Sequence, residues 1–425
     1  MKFIADFHIH SKYSRATSQQ MTVENIAKWA KIKGIKVIGT GDFTHPFWFK
    51  ELKEKLVPAE PGLFKWKEDI NSDSTRFLLT AETSHIYSKK GKVHRVHLII
   101  FAPSFETAEK INTRLSWIGN LKSDGRPILG LDAKELVKIV LDSDPQAIVV
   151  PSHAWTPWFS VFGSMSGFNS LEECFDDLTP HIFAGETGLS SDPAMNWRLS
   201  KLDKITLISN SDSHSLEKLG REANVFDTEL SYSAIVEAIK TKDPKKFLFT
   251  IEFFPEEGKY HYDGHRLCGV RLAPEQTRKL NGKCPQCGRG VTIGVMNRVE
   301  ELADRPVGYK PSGAIPYKSL VPLGEIIAEA LGLGVASKSV KEIYNNLITK
   351  FGSEFSVLIE ADPQEIKKIT PPKVGEGILR VREGRIKIEP GYDGQYGKLV
   401  IFEEAERSGS PISEQINEPS QKSLF

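Results

Sequence analysis

The sequence has little cysteine, almost no net charge and no long apolar segment, and each shortage limits what the protein can be. Its 425 residues include 4 cysteines, too few for a disulfide scaffold in a chain of this length. The formal net charge of +1 neither demands nor excludes an anionic partner. No apolar stretch approaches a membrane span, and the chain enters a strand instead of a signal peptide, so we predict a cytoplasmic protein with no membrane partner.

Histidines and carboxylates stand at the ends of short apolar runs. The first are His8 and His10, within residues 4–11, a segment typical of a strand. Side chains two residues apart on a strand point to the same side, so both imidazoles can bind one metal or two adjacent metals. The pair is therefore a candidate set of metal ligands.

The same pattern returns at later predicted strands, whose β-branched runs indicate buried parallel strands. The runs lie at residues 35–41, 77–81, 93–101, 147–152 and 205–211. The polar residues at or near their ends are Asp42, His45, Glu82, His97, His153, Asp212 and His214. This mixture of ligand types suits Zn²⁺, Mn²⁺ or Fe²⁺ and predicts a metal centre.

Some alternatives stay open within this set. His94 and His97 lie three residues apart on a strand and face opposite sides, and we prefer His97 because an apolar run follows it. His45 and Glu186 are further candidates for metal binding, although positioning other ligands is an equally consistent role for both.

Helical patterns separate the strands, for example at residues 23–33, 133–141 and 194–202. Strands that alternate with helices predict an α/β fold made of βα units. A (β/α) barrel places its active site at the carboxyl ends of its strands, so the candidate ligands are expected at one rim.

A second candidate metal site follows the last strand of this pattern, at residues 247–252. His265 and Cys268 form H-x2-C, and after fifteen further residues Cys284 and Cys287 form C-x2-C. This spacing, with a glycine after each second ligand, is typical of one structural zinc site. The alternatives are three free cysteines, or His261 as the fourth ligand.

The remainder of the chain has two features that suggest partners. Residues 323–331 and 340–351 are amphipathic helix candidates. Residues 369–379 could be a glycine turn that binds phosphate, or a plain loop. Residues 380–387 could be a strand that follows phosphates, or a solvated hairpin face.

The polar tail is predicted to be disordered. Its end, with Gln421, Leu424 and Phe425, resembles a shortened form of the peptide that docks on a sliding clamp; the alternative is a frayed end.

The first part of the chain, roughly residues 1–250, resembles the polymerase and histidinol phosphatase (PHP) family of metal-dependent phosphoesterases. The matching residues are those at 6–11, Gly41, Asp42, Glu82, His97, Ser152, His153 and 211–214. The resemblance implies a PHP-type distorted (β/α)7 barrel that binds up to three divalent metals. The family's usual aspartate is missing from residues 14–18, and Asp42-Phe43 replaces its Asp-His, so one metal position is expected to be altered, with His45 as a substitute ligand.

The whole chain resembles the endonuclease Q family. That resemblance implies a DNA repair endonuclease that hydrolyses the phosphodiester 5′ to a deaminated base (hypoxanthine, uracil or xanthine) or to an abasic site. The expected domains are the PHP barrel at 1–253, a zinc-binding domain at 254–310, a mainly helical DNA-binding domain at 311–405 and a disordered, clamp-binding-like tail at 406–425.

The expected mechanism uses water activated by two or three catalytic divalent metals (Zn, Mn, Mg or Fe), with Glu82 as the bridging carboxylate. The predicted catalytic residues are His8, His10, Asp42, Glu82, His97, His153, Asp212 and His214. Base extrusion would be needed for recognition. Residues 155–168 contain aromatic residues that would either wedge the duplex or form a core.

Two other functions are consistent with the sequence. The same metal cluster serves small-molecule phosphatases of the histidinol-phosphate type, although the zinc and helical segments argue for a larger substrate. The missing aspartate would instead fit a noncatalytic DNA-lesion or clamp-binding module.

Overall fold

The computed structural model describes residues 1–71, 73–403 and 406. The strands are Lys2–Asp6 (β1), Val37–Gly39 (β2), Leu56–Pro58 (β3), Phe64–Trp66 (β4), Arg76–Lys89 (β5), Lys92–Ala102 (β6), Ile128–Leu129 (β7), Ile148–Pro151 (β8), Ala184–Glu186 (β9), Thr206–Ile208 (β10), Ala223–Asp227 (β11), Phe247–Glu252 (β12), Asp263–His265 (β13), Val270–Leu272 (β14), Tyr317–Ser319 (β15), Lys387–Glu389 (β16) and Lys398–Val400 (β17).

The α-helices are Val23–Lys33 (α1), Pro46–Lys55 (α2), Phe105–Ser116 (α3), Ala133–Ser143 (α4), Leu171–Phe175 (α5), Pro193–Asn196 (α6), Tyr232–Thr241 (α7), Pro274–Lys279 (α8), Val295–Leu302 (α9), Leu323–Leu331 (α10), Lys338–Phe351 (α11), Pro363–Ile369 (α12) and Pro372–Arg382 (α13). Short 3₁₀ helices are Asp176–His181, Ser200–Lys204, Leu216–Lys218, Pro255–Glu257 and Arg266–Cys268, and Ser356–Glu360 is a π-helix. Among the described residues, no helix is both long enough and apolar enough to cross a membrane.

The main sheet is mixed: the prediction of parallel strands is correct for β1, β2 and β5 and wrong for β6. Its order is β15-β12-β11-β1-β2-β5, and it continues from β5 through β6 to β8. β1 is parallel to β2, but β5 and β6 are antiparallel. The reason is a direct hairpin: Lys90 and Gly91 both have positive φ, at 51° and 78°, which suits a two-residue turn without a crossover helix.

The sheet curves strongly around an apolar core. Phe7, just after β1, and Phe101 on β6 have ring centroids 5.4 Å apart. In a flat sheet the strands β1 and β6 would be separated by roughly 14 Å, because β2 and β5 lie between them. Within the described residues no strand pairing closes the sheet, and β9 and β10 form a separate parallel pair.

One predicted helix differs from the structure. Residues 194–202 were expected to be helical, but α6 ends at Asn196 and a 3₁₀ helix begins at Ser200. Leu199 between them is extended, with φ −109° and ψ 106°, and its side chain is buried. Burial of that side chain in the core replaces continuation of the helix.

Residues 372–382 form helix α13, so neither the glycine turn nor the plain loop considered for 369–379 is observed there. Gly375 and Gly377 are buried in α13, and a Cβ on Gly377 would lie 3.2 Å from the Ile326 side chain, so this glycine permits close helix packing. Arg382, at the end of α13, donates hydrogen bonds to the carbonyls of Ala361 and Val357. The interpretation of 380–387 as a strand that follows phosphates is therefore wrong.

The segment with the cysteines packs against the hairpin β16–β17. The Asp393 carboxylate accepts the Arg266 N–H at 2.7 Å and the Thr292 hydroxyl at 2.6 Å. β15 also joins β12 of the main sheet in parallel. The later segments are thus bonded to the earlier ones, while the predicted domain division stays a prediction.

Candidate metal centre

The end of β1 places His8 and His10 at one rim of the sheet. Beyond Asp6 the His10 N–H donates to the Ser213 carbonyl at 2.9 Å, next to a parallel bridge between Ile9 and Ser213. The two imidazole centroids are 5.3 Å apart. The two rings therefore lie side by side, as the spacing of two residues predicted.

His8, His10, Glu82 and Asp212 form a first group of potential ligands, with one ligand atom from each lying within 4.8 Å of the others. The Nε2 atoms of His8 and His10 are each 3.4 Å from Glu82 Oε2. His10 Nε2 is also 3.1 Å from Asp212 Oδ1. Two strand ends, those of β1 and β10, and the interior of β5 thus supply one compact set of nitrogen and oxygen atoms.

Glu82 also belongs to a second group, with His97 and His153. Its Oε1 lies 3.1 Å from His97 Nδ1 and 3.2 Å from His153 Nε2. Because Oε2 faces the first group, each carboxylate oxygen serves a different group. This is the arrangement expected of a carboxylate that bridges two metals.

The residues of both groups fit divalent cations. His8 Nε2 and Glu82 Oε1 are buried and have no hydrogen-bond partner in the described structure. An unpartnered buried polar atom is costly, so these two atoms are explained if they bind an ion. Imidazole nitrogen with carboxylate oxygen is a donor set for Zn²⁺, Mn²⁺ or Fe²⁺.

Glu186 orients the ligands from behind. Its carboxylate is 3.0 Å from His8 Nδ1, accepts the His153 N–H at 2.7 Å and accepts the Asn210 amide at 2.9 Å. A hydrogen bond at Nδ1 leaves Nε2 of His8 free to face the centre. The positioning role considered for Glu186 from the sequence fits these contacts.

Asp42 lies beside the first group, not within it. Its Oδ1 is 3.0 Å from His10 Nδ1, and its Oδ2 accepts the Ser11 N–H, the Ser11 hydroxyl and the Ser14 hydroxyl at 2.7 to 2.9 Å. Both oxygens are therefore used by neighbouring donors. These contacts fit orientation of His10 better than direct metal binding.

The other candidate histidines also lie outside the two groups. His45 stacks on Tyr13 with ring centroids 4.5 Å apart, and burial lowers its pKa. His214 Nδ1 is 2.9 Å from the Asp212 carbonyl, and its ring is 4.4 Å from that of His10. His94 stacks on Phe168 at 3.7 Å, away from His97.

Three of the predicted site residues, Asp42, His153 and Asp212, have a left-handed backbone conformation. The φ values are 51° at Asp42, 25° at His153 and 45° at Asp212. Such conformations are uncommon for residues other than glycine and concentrate at functional sites. Each lies just after a strand, where the turn directs its side chain toward the rim.

The charges at the centre are strongly coupled. Burial alone would raise the pKa of Glu82, but His97, His8 and Arg126 hold it well below its ordinary value. Burial lowers the pKa of His97 to about 4 even though Glu82 opposes this shift. His97 is therefore neutral near pH 7 and retains a lone pair for a cation.

Arg126 is a residue of the centre that was not predicted from the sequence. Its Nη1 lies 3.0 Å from Glu82 Oε2, across 44 residues of chain. The arginine lies on the loop just before β7, and no sequence signal distinguishes it from other arginines.

The aromatic segment at 155–168 is divided between two roles. Trp155, Phe162 and Phe168 are buried, which confirms the core alternative for them. Trp158 remains 37% exposed and packs edge-on against Tyr260, with centroids 5.5 Å apart. Phe159 lies 4.7 Å from the His97 ring. Of these five aromatic residues, Trp158 and Phe159 remain candidates for contact with a substrate.

The structure also brings His265, Cys268, Cys284 and Cys287 together, with ligand atoms within 4.8 Å of one another. Gly269 and Gly288 have φ of 63° and 70°, so both knuckles turn as a glycine allows. Although burial raises the pKa of the Cys284 thiol, backbone N–H groups of Cys287 and Gln286 lower it to about 7. A partly deprotonated thiol favours zinc. His261, the alternative ligand, lies outside this group.

Replacing Cys284 by Ser is expected to release one tightly bound zinc and to loosen residues 255–310, because structural zinc supplies folding energy. Metal bound by the two groups that share Glu82 should be unaffected. Elemental analysis with hydrogen exchange checks both effects, and Cys174→Ala is the control, since Cys174 is a buried cysteine outside the group. Unchanged zinc content in Cys284→Ser would remove this site.

Comparison with known proteins identifies relatives along the chain. Residues 322–385 match the MJ0043 C-terminal domain family. The protein MJ0043 of Methanocaldococcus jannaschii is 36% identical over 255 residues, 58% of this chain, and the chain spans only 31% of MJ0043. YqxK of Bacillus subtilis is 29% identical, and the match covers 94% of this chain and 99% of the YqxK sequence.

Two solved structures match nearly the full length. The lesion-specific endonuclease PfuEndoQ of Pyrococcus furiosus is 34% identical, with 95% of this chain and 96% of that chain covered and a TM-score of 0.84. The chain belongs to the endonuclease Q family. A complex of endonuclease Q with a 27-mer duplex bearing an abasic lesion at the active site matches at 33% identity, covering 96% of this chain and 98% of that one, with a TM-score of 0.83.

The two matches confirm three predictions from the sequence: the endonuclease Q family, the α/β fold class and an enzyme of the endonuclease class. The metal-ligand roles stay predictions supported by the geometry above. Gln421, Leu424 and Phe425 lie outside the described residues.

Proposed function

We propose that the chain is a metal-dependent DNA repair endonuclease that hydrolyses the phosphodiester 5′ to deaminated bases (hypoxanthine, uracil or xanthine) or to abasic sites. The observation that supports this most directly is the carboxylate of Glu82, which offers one oxygen to each of two groups of ligand atoms. A family member is known in complex with duplex DNA that bears an abasic lesion at the active site.

Two or three divalent cations would be held at the centre. His8, His10, Glu82 and Asp212 would hold one of them, and Glu82, His97 and His153 another. Divalent cations supply Lewis-acid stabilisation of phosphoryl charge and lower the pKa of water. The protein fixes these ligands through Glu186 behind His8 and Asp42 behind His10. Hydrolysis by water activated in this way would need no nucleophilic side chain.

We also propose the finer architecture expected from the sequence: a PHP-type distorted (β/α)7 barrel at 1–253, a zinc-binding domain at 254–310 and a mainly helical DNA-binding domain at 311–405. The curvature around Phe7 and Phe101 supports a barrel. The cysteine group supports the second unit, and α10 to α13 support the third.

The two rival functions are less consistent with these observations. A small-molecule phosphatase needs neither the cysteine group nor the four helices α10 to α13. A noncatalytic module would not need a set of four metal ligands, yet His8, His10, Glu82 and Asp212 lie together although the family's aspartate is missing from residues 14–18. Family membership also favours a nuclease over both.

Cleavage of end-labelled duplexes tests the proposal. Each duplex has one hypoxanthine, one uracil or one abasic site, and a matched undamaged duplex is the control. With Mg²⁺ or Mn²⁺ the full-length protein should make a single incision 5′ to each lesion and leave the undamaged duplex intact. Chelation by EDTA should abolish the cut. Equal cutting of all four duplexes would contradict lesion specificity, and no cutting would contradict the function.

The tail proposal concerns the sliding clamp as partner. Deleting residues 421–425 should leave cleavage of short oligonucleotides unchanged and remove binding to the clamp, because tethering raises local concentration without a new contact to the lesion. Surface plasmon resonance on immobilised clamp measures this, with Lys422→Ala as the control within the tail. Equal clamp binding by the full-length and truncated proteins would show that the tail is a frayed end.

A further inference from the structure

Arg126 occupies an unusual place at the metal centre. Its Nη1 is 3.0 Å from Glu82 Oε2, and its side chain is 26% exposed while that of Glu82 is fully buried. Asp212, a member of the first group of ligand atoms, has 23% of its side chain exposed. The guanidinium therefore lies between the buried carboxylate and the open side, where a substrate must enter.

The backbone of the arginine is fixed from several directions. Asp124 Oδ1 accepts the Arg126 N–H at 3.1 Å. The Gly125 N–H donates to the Tyr13 carbonyl at 3.0 Å, and the Thr44 hydroxyl donates to the Gly125 carbonyl at 3.3 Å. Tyr13 and Thr44 follow His10 and Asp42 closely in the chain, so the loop is bonded to the segments that form the centre.

Gly125 allows this loop to approach the centre. A Cβ at this position would lie 2.3 Å from both Asp42 Oδ2 and Ser14 Oγ, nearer than any real Cβ contact. Both atoms belong to the hydrogen-bonded network behind His10. A side chain at residue 125 would displace either that network or the loop with Arg126.

The ion pair with Glu82 uses little of the guanidinium. The group has five N–H donors, and only Nη1 makes a side-chain hydrogen bond within the described part of the chain. Divalent cations on Glu82 would repel a fixed positive charge beside them unless an anion balanced both. An arginine held here by three backbone anchors is thus suited to a site that receives an anion.

We propose that Arg126 binds a non-bridging oxygen of the scissile phosphodiester, an inference that rests on the proposed function and adds a residue to it. The planar fork of a guanidinium matches the oxygens of a phosphate, and it remains charged at every working pH. The guanidinium would bind the phosphate on the open side, while the cations face its other oxygens. The competing role for Arg126 is only to position Glu82.

Binding of inorganic phosphate to the full-length, Mn²⁺-loaded protein distinguishes these roles. By isothermal titration calorimetry, Arg126→Ala should bind phosphate about 10- to 100-fold more weakly, and Arg126→Lys should lie in between. Gly125→Ala should resemble Arg126→Ala. Arg15→Ala is the matched control: its side chain is 81% exposed beside the same Asp124, and it should bind as the wild type does.

Metal content, measured by elemental analysis, completes the test. We expect Arg126→Ala to keep the wild-type metal content and to lose on the order of 10²- to 10³-fold in kcat on the abasic duplex. Unchanged phosphate affinity, or a loss of affinity accompanied by loss of metal, would overturn the proposal in favour of a role through Glu82. Phosphate affinity can be measured whether or not the wild-type protein cuts DNA. Failure of the proposed function would be detected separately, as absence of cleavage by the wild-type protein.

Discussion

Replacing Glu82 by Gln is expected to lower kcat/KM for an abasic duplex by on the order of 10³-fold or more. Gln keeps the shape and one acceptor oxygen but removes the charge and places an NH₂ group toward one of the two ligand groups. Stabilisation of phosphoryl charge by a metal is worth several kcal/mol, and about 4 kcal/mol corresponds to about 10³-fold in rate. Both groups should lose affinity, because Glu82 belongs to both.

Single-turnover cleavage and elemental analysis measure the two effects together. Glu60→Gln is the matched control, because Glu60 pairs with Arg76 at the start of β5, roughly 20 Å along the strand from Glu82. That variant should cut normally and keep its metals. Near-normal cleavage by Glu82→Gln with full metal content would remove Glu82 from the centre.

Much of the fold was predictable because buried strands are short and β-branched. The predicted run at 247–252 coincides with β12. Strand direction was not predictable: the antiparallel pairing of β5 with β6 depends on a turn at Lys90 and Gly91. Neither Lys90 nor Gly91 by itself predicts a tight turn, and positive φ is not expected of a lysine.

The candidate site was predictable to the extent that its side chains follow strands. Residues that follow the carboxyl ends of strands meet at one edge, which is why His8, His153 and Asp212 lie together. Glu82 was expected at the end of its strand, but β5 continues to Lys89 and places Glu82 in its interior. What strand position does not determine is which polar groups contact an ion and which support one. Asp42 follows β2 as predicted, yet its oxygens are used by Ser11, Ser14 and His10.

The remaining parts depend on contacts between distant loops. Arg126 reaches Glu82 only because Gly125 lets its loop approach Asp42 closely. The pair Asp124-Gly125 by itself indicates only a turn. Neither Gly125 nor Arg126 therefore indicates a functional site until the position of the loop is known. The same limit applies to Trp158, whose exposure depends on where Tyr260 lies.

Replacing Asp212 by Asn is expected to abolish cleavage while leaving binding to the lesion largely intact. His8 and His10 hold the pKa of Asp212 far below its ordinary value in spite of burial, so the wild-type residue is a carboxylate at every working pH. Asn removes that charge from the first group, 3.1 Å from His10 Nε2. DNA binding depends mainly on phosphate contacts spread over a wide surface, so it should survive.

Asn is the informative substitution because of the backbone. Asp212 has φ of 45°, a conformation that Asn tolerates and that most other residues do not. Loss of cleavage in Asp212→Asn therefore reports loss of a ligand charge, whereas Asp212→Ala would add backbone strain. Fluorescence anisotropy with an abasic duplex and single-turnover cleavage of the same duplex separate binding from chemistry. Asp227→Asn is the control, since Asp227 pairs with the chain's amino terminus at the end of β11. Cleavage by Asp212→Asn at a rate near that of the control would place Asp212 outside the metal centre and leave His8, His10 and Glu82 as its first group.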